Sequence, residues 1–308
     1  MRVLVLGAGA LGGYFGGKLQ KSGVDVAFLV RPRRAAQLAD RGLVLKAQDG
    51  EIRLPAKTVL AGRVDGAYDV VLLCCKAYDL ADAMDAVAPA VGPGTAVLPF
   101  LNGIKHVSAL ADRFGSGRVL GGLTAVNAVL EPHGDVVQSA VKIDMTALGE
   151  LNGERSARCA DIQHAFTVAG MPMALSDNVI ALMWAKFFAF ACIATLATLT
   201  RARAGAIARS AGGASFVSAV IEECGRIVEA EGYPPPKDIA DIVRGLYAQR
   251  DSSYGPSILV DMQNGRPTEG HHTIGDLVER AARHGMPVPL LTAALCNLQA
   301  YELARLGR

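Results

Sequence analysis

The chain has 308 residues, 51% apolar and 19% charged, which is enough material for two domains with sizeable cores. Its formal net charge of +2 excludes the strongly basic surface of a nucleic-acid or anionic-membrane binder. The cysteines at 74, 75, 159, 192, 224 and 296 form no CxxC pair and no ladder of spacings, so they are expected as reduced, core-packed thiols.

RVLVL (2–6) predicts a strand that ends at a glycine, 10–22 has helical character, and VDVAFLV (24–30) is again strand-like. This β–turn–α–β order is the opening of a doubly wound sheet. DVVLLC (69–74) reads as a buried strand, LADAMDAVAPAV (80–91) as a helix and TAVLPF (95–100) as a strand. RVLGGLTAVNAVL (118–130) and VKIDMTALGE (141–150) are predicted as further strands, with EPHGD (131–135) as the turn between them. From about residue 160 the period becomes helical: QHAFTVAG, then 179–200, 215–232, 237–249, 274–285 and 290–306, separated by PPP, YGP and MPVP. The predicted fold class is α/β. An N-terminal Rossmann-type doubly wound sheet (1–170) precedes an all-helical domain (171–308).

GAGALG sets Gly7, Gly9 and Gly12 in a GxGxxG, with Ala10 and Leu11 between the last two, directly after a strand and opening a helix. The first glycine permits a tight turn, the second lets backbone approach a pyrophosphate, and the third allows close helix–strand packing. The helix N-terminus adds amides and partial positive charge. Dinucleotide binding is the expectation. NAD sites usually carry an acid at the end of the second strand for the ribose 2′-hydroxyl. Here that strand ends LVRPRR, with Arg31, Arg33 and Arg34 and no acid, so NADP (as NADPH) is the expected cofactor and Arg31 the leading 2′-phosphate ligand. A solvated basic loop is the plainer reading for the other arginines.

VIALMWAKFFAFACIATLATLT (179–200) is a 22-residue apolar run with a single charge, Lys186. A membrane span, a buried core helix and a charge held for chemistry all fit such a run. A lone span whose lysine sits near its middle and which interrupts a two-domain pattern is a poor membrane segment, and no membrane partner is expected. The N-terminus, interrupted early by glycines, does not read as a signal peptide, and a cytoplasmic location is expected.

Taken together, GAGALG, LVRPRR, CCKAYD, PFLNGI, MWAKF and the SxLxD…GRPTE segment make the chain resemble the ketopantoate reductase (2-dehydropantoate 2-reductase) family. The resemblance runs the full chain. It implies an N-terminal Rossmann domain, a helical C-terminal domain, an active site in the cleft between them, and a small 2-keto acid reduced in the pantothenate pathway. It also implies roles. Lys186 falls on the catalytic lysine that protonates the ketone oxygen, and Glu269 on the glutamate that binds substrate near it. Asn102 falls on the asparagine at the nicotinamide end, Lys76 on the lysine of the loop after the fourth strand, and Ser257 on a serine contacting the substrate carboxylate. A homodimer is left open. The chemistry asks for such residues independently, since negative charge develops on the ketone oxygen and a positioned acid there lowers the barrier.

The match has gaps. Phe190 and Ala194 stand where the family commonly has asparagines, Tyr254 replaces a third, and GHHTIG follows Glu269 where an apolar residue and then an acid are more usual. These changes remove polar groups that would hold a substrate's hydroxyl and carboxylate, so a paralogue acting on another 2-keto acid or ketone is one alternative. A non-catalytic NADPH-binding sensor is the other, disfavoured by retention of Lys186 with Glu269. His271, His272 and His284 lack a metal-ligand constellation, His106 and His133 read as structural, and no metal is expected. Cys74 and Cys75 read as strand packing, and Trp184 as interface packing.

Overall fold

RVLVL forms β1 (Arg2–Leu6) in the computed structural model, which describes residues 1–138 and 145–307. There follow α1 (Ala10–Lys21), β2 (Asp25–Leu29), α2 (Pro32–Arg41), β3 (Leu43–Ala47), β4 (Gly50–Leu54), β5 (Thr58–Val59) and β6 (Val70–Leu73). Next come α3 (Leu80–Val87), β7 (Ala96–Pro99), α4 (Lys105–Phe114), β8 (Leu120–Thr124), β9 (Ala128–Leu130), β10 (Val136–Gln138), β11 (Thr146–Glu150), α5 (Ala157–Val168) and β12 (Ala174–Leu175). Helices complete the chain: α6 (Val179–Thr200), α7 (Ala204–Arg209), α8 (Gly213–Ala230), α9 (Lys237–Leu246), α10 (Ser257–Gln263), α11 (Ile274–Arg283) and α12 (Pro289–Arg305).

Among the described residues the strands make three sheets, ordered β5-β2-β1-β6-β7, β4-β3-β10-β9 and β12-β11-β8. The first is parallel throughout. Its strands alternate between two cores, as a period of two requires when both faces are covered. Val3, Val5, Val26, Phe28, Val70 and Leu72 enter one core, and Leu4, Ala27, Leu29, Val71 and Leu73 the other. The strand order reverses beside β1, where β2 lies on one side and β6 on the other, and ligands of such sheets bind outside the carboxyl ends at that point.

The chain divides into two compact units, Met1–Leu101 with His106–Ile180, and Asn102–Lys105 with Ala181–Arg308. The segment 171–180, read from sequence with the helical part, falls in the first unit, where β12 pairs with β11. Several elements depart from the sequence reading. The strand predicted over 118–130 is two strands in different sheets, β8 and β9. The basic loop after β2 is the helix α2, with Pro32 at its first position, where a missing N–H costs nothing. The hairpin β3–β4, with Gly50 at φ +122° opening β4 directly after the two-residue turn 48–49, has an Asp-Gly signal that the reading passed over. Residues 141–144 of the predicted strand 141–150 lie outside the described residues, and its remainder is β11. The EPHGD turn is braced by ions: buried Asp135 receives Lys46 at 2.8 Å and Arg41 at 3.3 Å, and His133 Nε2 stands 3.0 Å from Glu131.

In the second unit, α6 is apolar around most of its circumference, the signature of a buried helix. Met183, Phe187, Phe188, Ala191, Cys192, Leu196 and Ala197 are all buried. Phe188 packs against Gly225 of α8, Tyr247 donates its hydroxyl to the Ile193 carbonyl, and Trp184 stacks on Tyr233 beneath the Arg280 guanidinium. By length and composition α6 could cross a membrane, yet most of its apolar surface is used by protein neighbours. The cysteines are all free; Cys159, Cys192 and Cys224 are buried as expected, but Cys74 and Cys75 are half-buried and Cys296 is exposed.

Candidate active site

In the first unit the glycine loop leaves the carboxyl end of β1. Gly7 has φ +88°, which L side chains rarely adopt. A Cβ on Gly12 would stand 1.8 Å from the Gly7 carbonyl oxygen, so the closeness of helix to turn requires glycine there. At Gly9 a Cβ would meet no protein atom within 4 Å, so the backbone is open on that side. Gly9 is the N-cap of α1, Ala10 and Leu11 begin its first turn, and the helix contributes its amides and dipole to the same place. The turn and the helix N-terminus together present open backbone and partial positive charge, which suit an anionic group.

The arginines after β2 divide their work. Arg34 donates from Nε to the carbonyl of Ala8 inside the glycine loop at 2.8 Å and from Nη1 to the Gly134 carbonyl at 3.0 Å, so it braces the loop. Arg31, the N-cap of α2, is exposed, and its Nη2 lies 2.8 Å from Asp79 Oδ1. The hydrogen bond and charge of Asp79 hold its guanidinium above the ordinary value. Arg33 is exposed on α2. Lys76 follows β6, partly buried, at the start of the 3-10 turn Ala77–Asp79.

The second unit joins three residues far apart in sequence. Lys186 Nζ donates to Asn102 Oδ1 at 3.3 Å, and Asn102 Nδ2 donates to Glu269 Oε2 at 3.3 Å. The carboxamide thus turns its oxygen to the cation and its nitrogen to the carboxylate, the orientation both partners need. Desolvation at the buried ammonium lowers Lys186 from 10.5 to about 8, and the Glu269 carboxylate opposes the fall. Lys186 as a whole is partly exposed, while its ammonium is desolvated.

Each member of the trio is positioned by its surroundings. Asn102 opens a tight turn whose Gly103, at φ +85°, passes so close to the His272 carbonyl that a Cβ would lie 2.9 Å from that oxygen. Lys105 closes the turn, 2.7 Å from Glu279 Oε2 on α11. Glu269 is 5% exposed. Before it, Thr268 donates its N–H and hydroxyl to Glu302 Oε1 on α12, at 2.8 and 3.0 Å. After it, Gly270 lies against Leu298, and Thr273 donates its hydroxyl back to the Glu269 carbonyl. Glu302 and Lys105 were not foreseen, because no local pattern points to a partner 34 or 174 positions away.

Ser257 opens α10 and is exposed, with no hydrogen bond to the trio among the described residues. Phe190 and Ala194 continue the Lys186 stripe of α6 at one-turn spacing, Phe190 partly buried and Ala194 buried. Tyr254 is partly buried, and burial pushes its phenol up. The stripe beyond the ammonium is therefore apolar for two turns. His271 and His272 form the 3-10 turn after Glu269, and burial lowers His272.

Comparison with known proteins agrees with both halves. Residues 3–153 match the family described as ketopantoate reductase PanE/ApbA, and residues 178–302 match its C-terminal counterpart. The chain is 33% identical to an uncharacterized oxidoreductase, YkpB, of Bacillus subtilis strain 168, covering 98% of this chain and 99% of the relative. It is 27% identical to a 2-dehydropantoate 2-reductase of Mesorhizobium japonicum, over 99% of each chain. The crystal structure of 2-dehydropantoate 2-reductase from Geobacter metallireducens GS-15 superposes with a TM-score of 0.89 at 26% identity, covering 97% of this chain and 99% of that one. The chain belongs to the ketopantoate reductase family and is an oxidoreductase acting on CH–OH groups.

Proposed function

We propose that the protein reduces a 2-keto acid to the 2-hydroxy acid with NADPH, the first unit holding the dinucleotide and the second supplying the proton. The observation that carries the reading is the chain from Lys186 through Asn102 to Glu269. A dinucleotide whose pyrophosphate is held at Gly7–Gly12 would supply, from its reduced nicotinamide, the hydride for the carbonyl carbon. Lys186 then provides the proton: as the C=O π bond breaks and charge gathers on oxygen, Nζ–H is lost and O–H forms. A pKa of about 8 leaves roughly nine-tenths of the ammonium protonated at pH 7, yet a better acid than an ordinary lysine. Glu269 keeps the cation charged despite its desolvation, and Asn102 fixes the distance between them. Such a pair has no use in a dinucleotide sensor, which speaks against that alternative. Arg31 is the basis for preferring NADPH, Lys76 is assigned to cofactor binding beside it, and Ser257 to the substrate carboxylate.

2-Dehydropantoate, giving pantoate, is the first substrate to test. Phe190, Ala194 and Tyr254 favour a second reading within the same chemistry, a 2-keto acid or ketone with a larger apolar side chain, because amides that would bind a hydroxyl are absent. An absorbance assay of NADPH oxidation with 2-dehydropantoate and a panel of branched and aromatic 2-keto acids decides between them. Turnover of none would defeat the substrate assignment. If the second reading is right, Phe190→Asn with Ala194→Asn raises the 2-dehydropantoate rate; an unchanged or lower rate supports the first.

A further inference from the structure

The position after β2 is where a doubly wound sheet distinguishes the two dinucleotides: an acid there accepts a ribose 2′-hydroxyl, and an arginine pairs with a 2′-phosphate. Sequence shows only the arginine. In space both are present, because β1 lies between β2 and β6 and the segments after those strands reach toward each other over its carboxyl end. Arg31 follows β2, Asp79 ends the turn after β6, and Nη2 to Oδ1 is 2.8 Å although 48 positions separate them. Asp82 adds further negative potential at the same guanidinium.

Resting on the cofactor reading above, we infer that Asp79 is a specificity-determining residue that narrows the preference for NADPH and lets the site accept NADH. The pair is well solvated, with Arg31 75% and Asp79 32% exposed at the side chain, and ion pairs of that kind are readily parted. The guanidinium has five N–H donors in a planar fork and one is committed to Asp79, so it can turn to a phosphate. A 2′-phosphate carries close to two negative charges near neutrality; it gains Arg31 and at the same time faces the Asp79 carboxylate. A 2′-hydroxyl brings no charge and donates a hydrogen bond to that carboxylate. Asp79 therefore penalises one dinucleotide and binds the other.

Dissociation constants for NADPH and NADH, read by nicotinamide fluorescence without substrate, test this in the wild type, Asp79→Asn, Asp79→Ser and Arg31→Leu, with thermal melts as folding controls. Both Asp79 variants raise the NADPH-over-NADH preference by about tenfold, the scale of one partly screened charge. Arg31→Leu weakens NADPH and leaves NADH unchanged or tighter. A preference ratio that stays within twofold in both Asp79 variants, or equal weakening of both dinucleotides, overturns the inference while leaving the cofactor reading in place. Failure of the wild type to bind either dinucleotide overturns both.

Discussion

From Gly7 to Gly12, six adjacent residues build a cradle out of backbone, and the side chains matter mainly by being absent. Around Lys186 the arrangement is reversed: side chains 84 and 167 positions apart make the geometry, and it holds only if α6, the turn after β7 and the segment before α11 all take their places. The first site is local, and at Gly12 it tolerates no added atom. The second is long-range and tolerates no lost one.

Substitutions that subtract a group should therefore act on the second site and substitutions that add one on the first. Lys186→Met should lower kcat/KM by about 10²–10⁴, the usual worth of a positioned acid, while the NADPH dissociation constant stays within twofold. Loss of dinucleotide affinity in that variant would mean the two sites do not divide the work. Gly12→Ala forces a methyl against the Gly7 carbonyl, and fluorescence titration should show NADPH binding weakened by about 10² or more, with a lower melting temperature. Asn102→Leu keeps the shape and removes both hydrogen bonds; a kcat reduced by about 10- to 100-fold is expected, in line with about 1–3 kcal/mol for buried partners left unpaired. The smallest effect belongs to Lys105→Met, because the Lys105–Glu279 pair is about half exposed at both ends and such pairs contribute about 0–1 kcal/mol. A kcat changed by more than about fivefold would show that this clip positions Asn102 more firmly than its exposure suggests.

The same contrast explains what could be read from sequence. The GxGxxG with its flanking strand and helix is a local pattern with a steric reason at each glycine, so residues and physics sufficed. The strands β1, β2, β6 and β7 were likewise legible as hydrophobic runs, with helical character read between β1 and β2 and between β6 and β7. Lys186 was conspicuous as the single charge in an apolar helix, but its proximity to Glu269 came only through family resemblance, and the bridge that Asn102 makes between them was not foreseen. Asp79 illustrates the limit: CCKAYD names the residue, yet only the sheet order brings it to Arg31. The helix α2 was missed because its basic residues suggested solvent, while Pro32 and the periodic Leu38 were the signals of a helix start and a buried face. The boundary near residue 180 was blurred by β12, too short and too exposed to show a strand period.

The central claim is that the Lys186 ammonium, desolvated and restrained by Glu269, is the acid of the reaction. Its protonated form is the active one, so activity should be level below its pKa and fall as pH rises through it. Measuring kcat/KM against pH for the wild type and Lys186→Arg tests this most directly. A wild-type profile that falls about tenfold per unit above about pH 8, with that limb absent up to pH 10 in the weakly active arginine variant, is the predicted result. A wild-type profile flat through pH 10, or the same limb retained in Lys186→Arg, would contradict it.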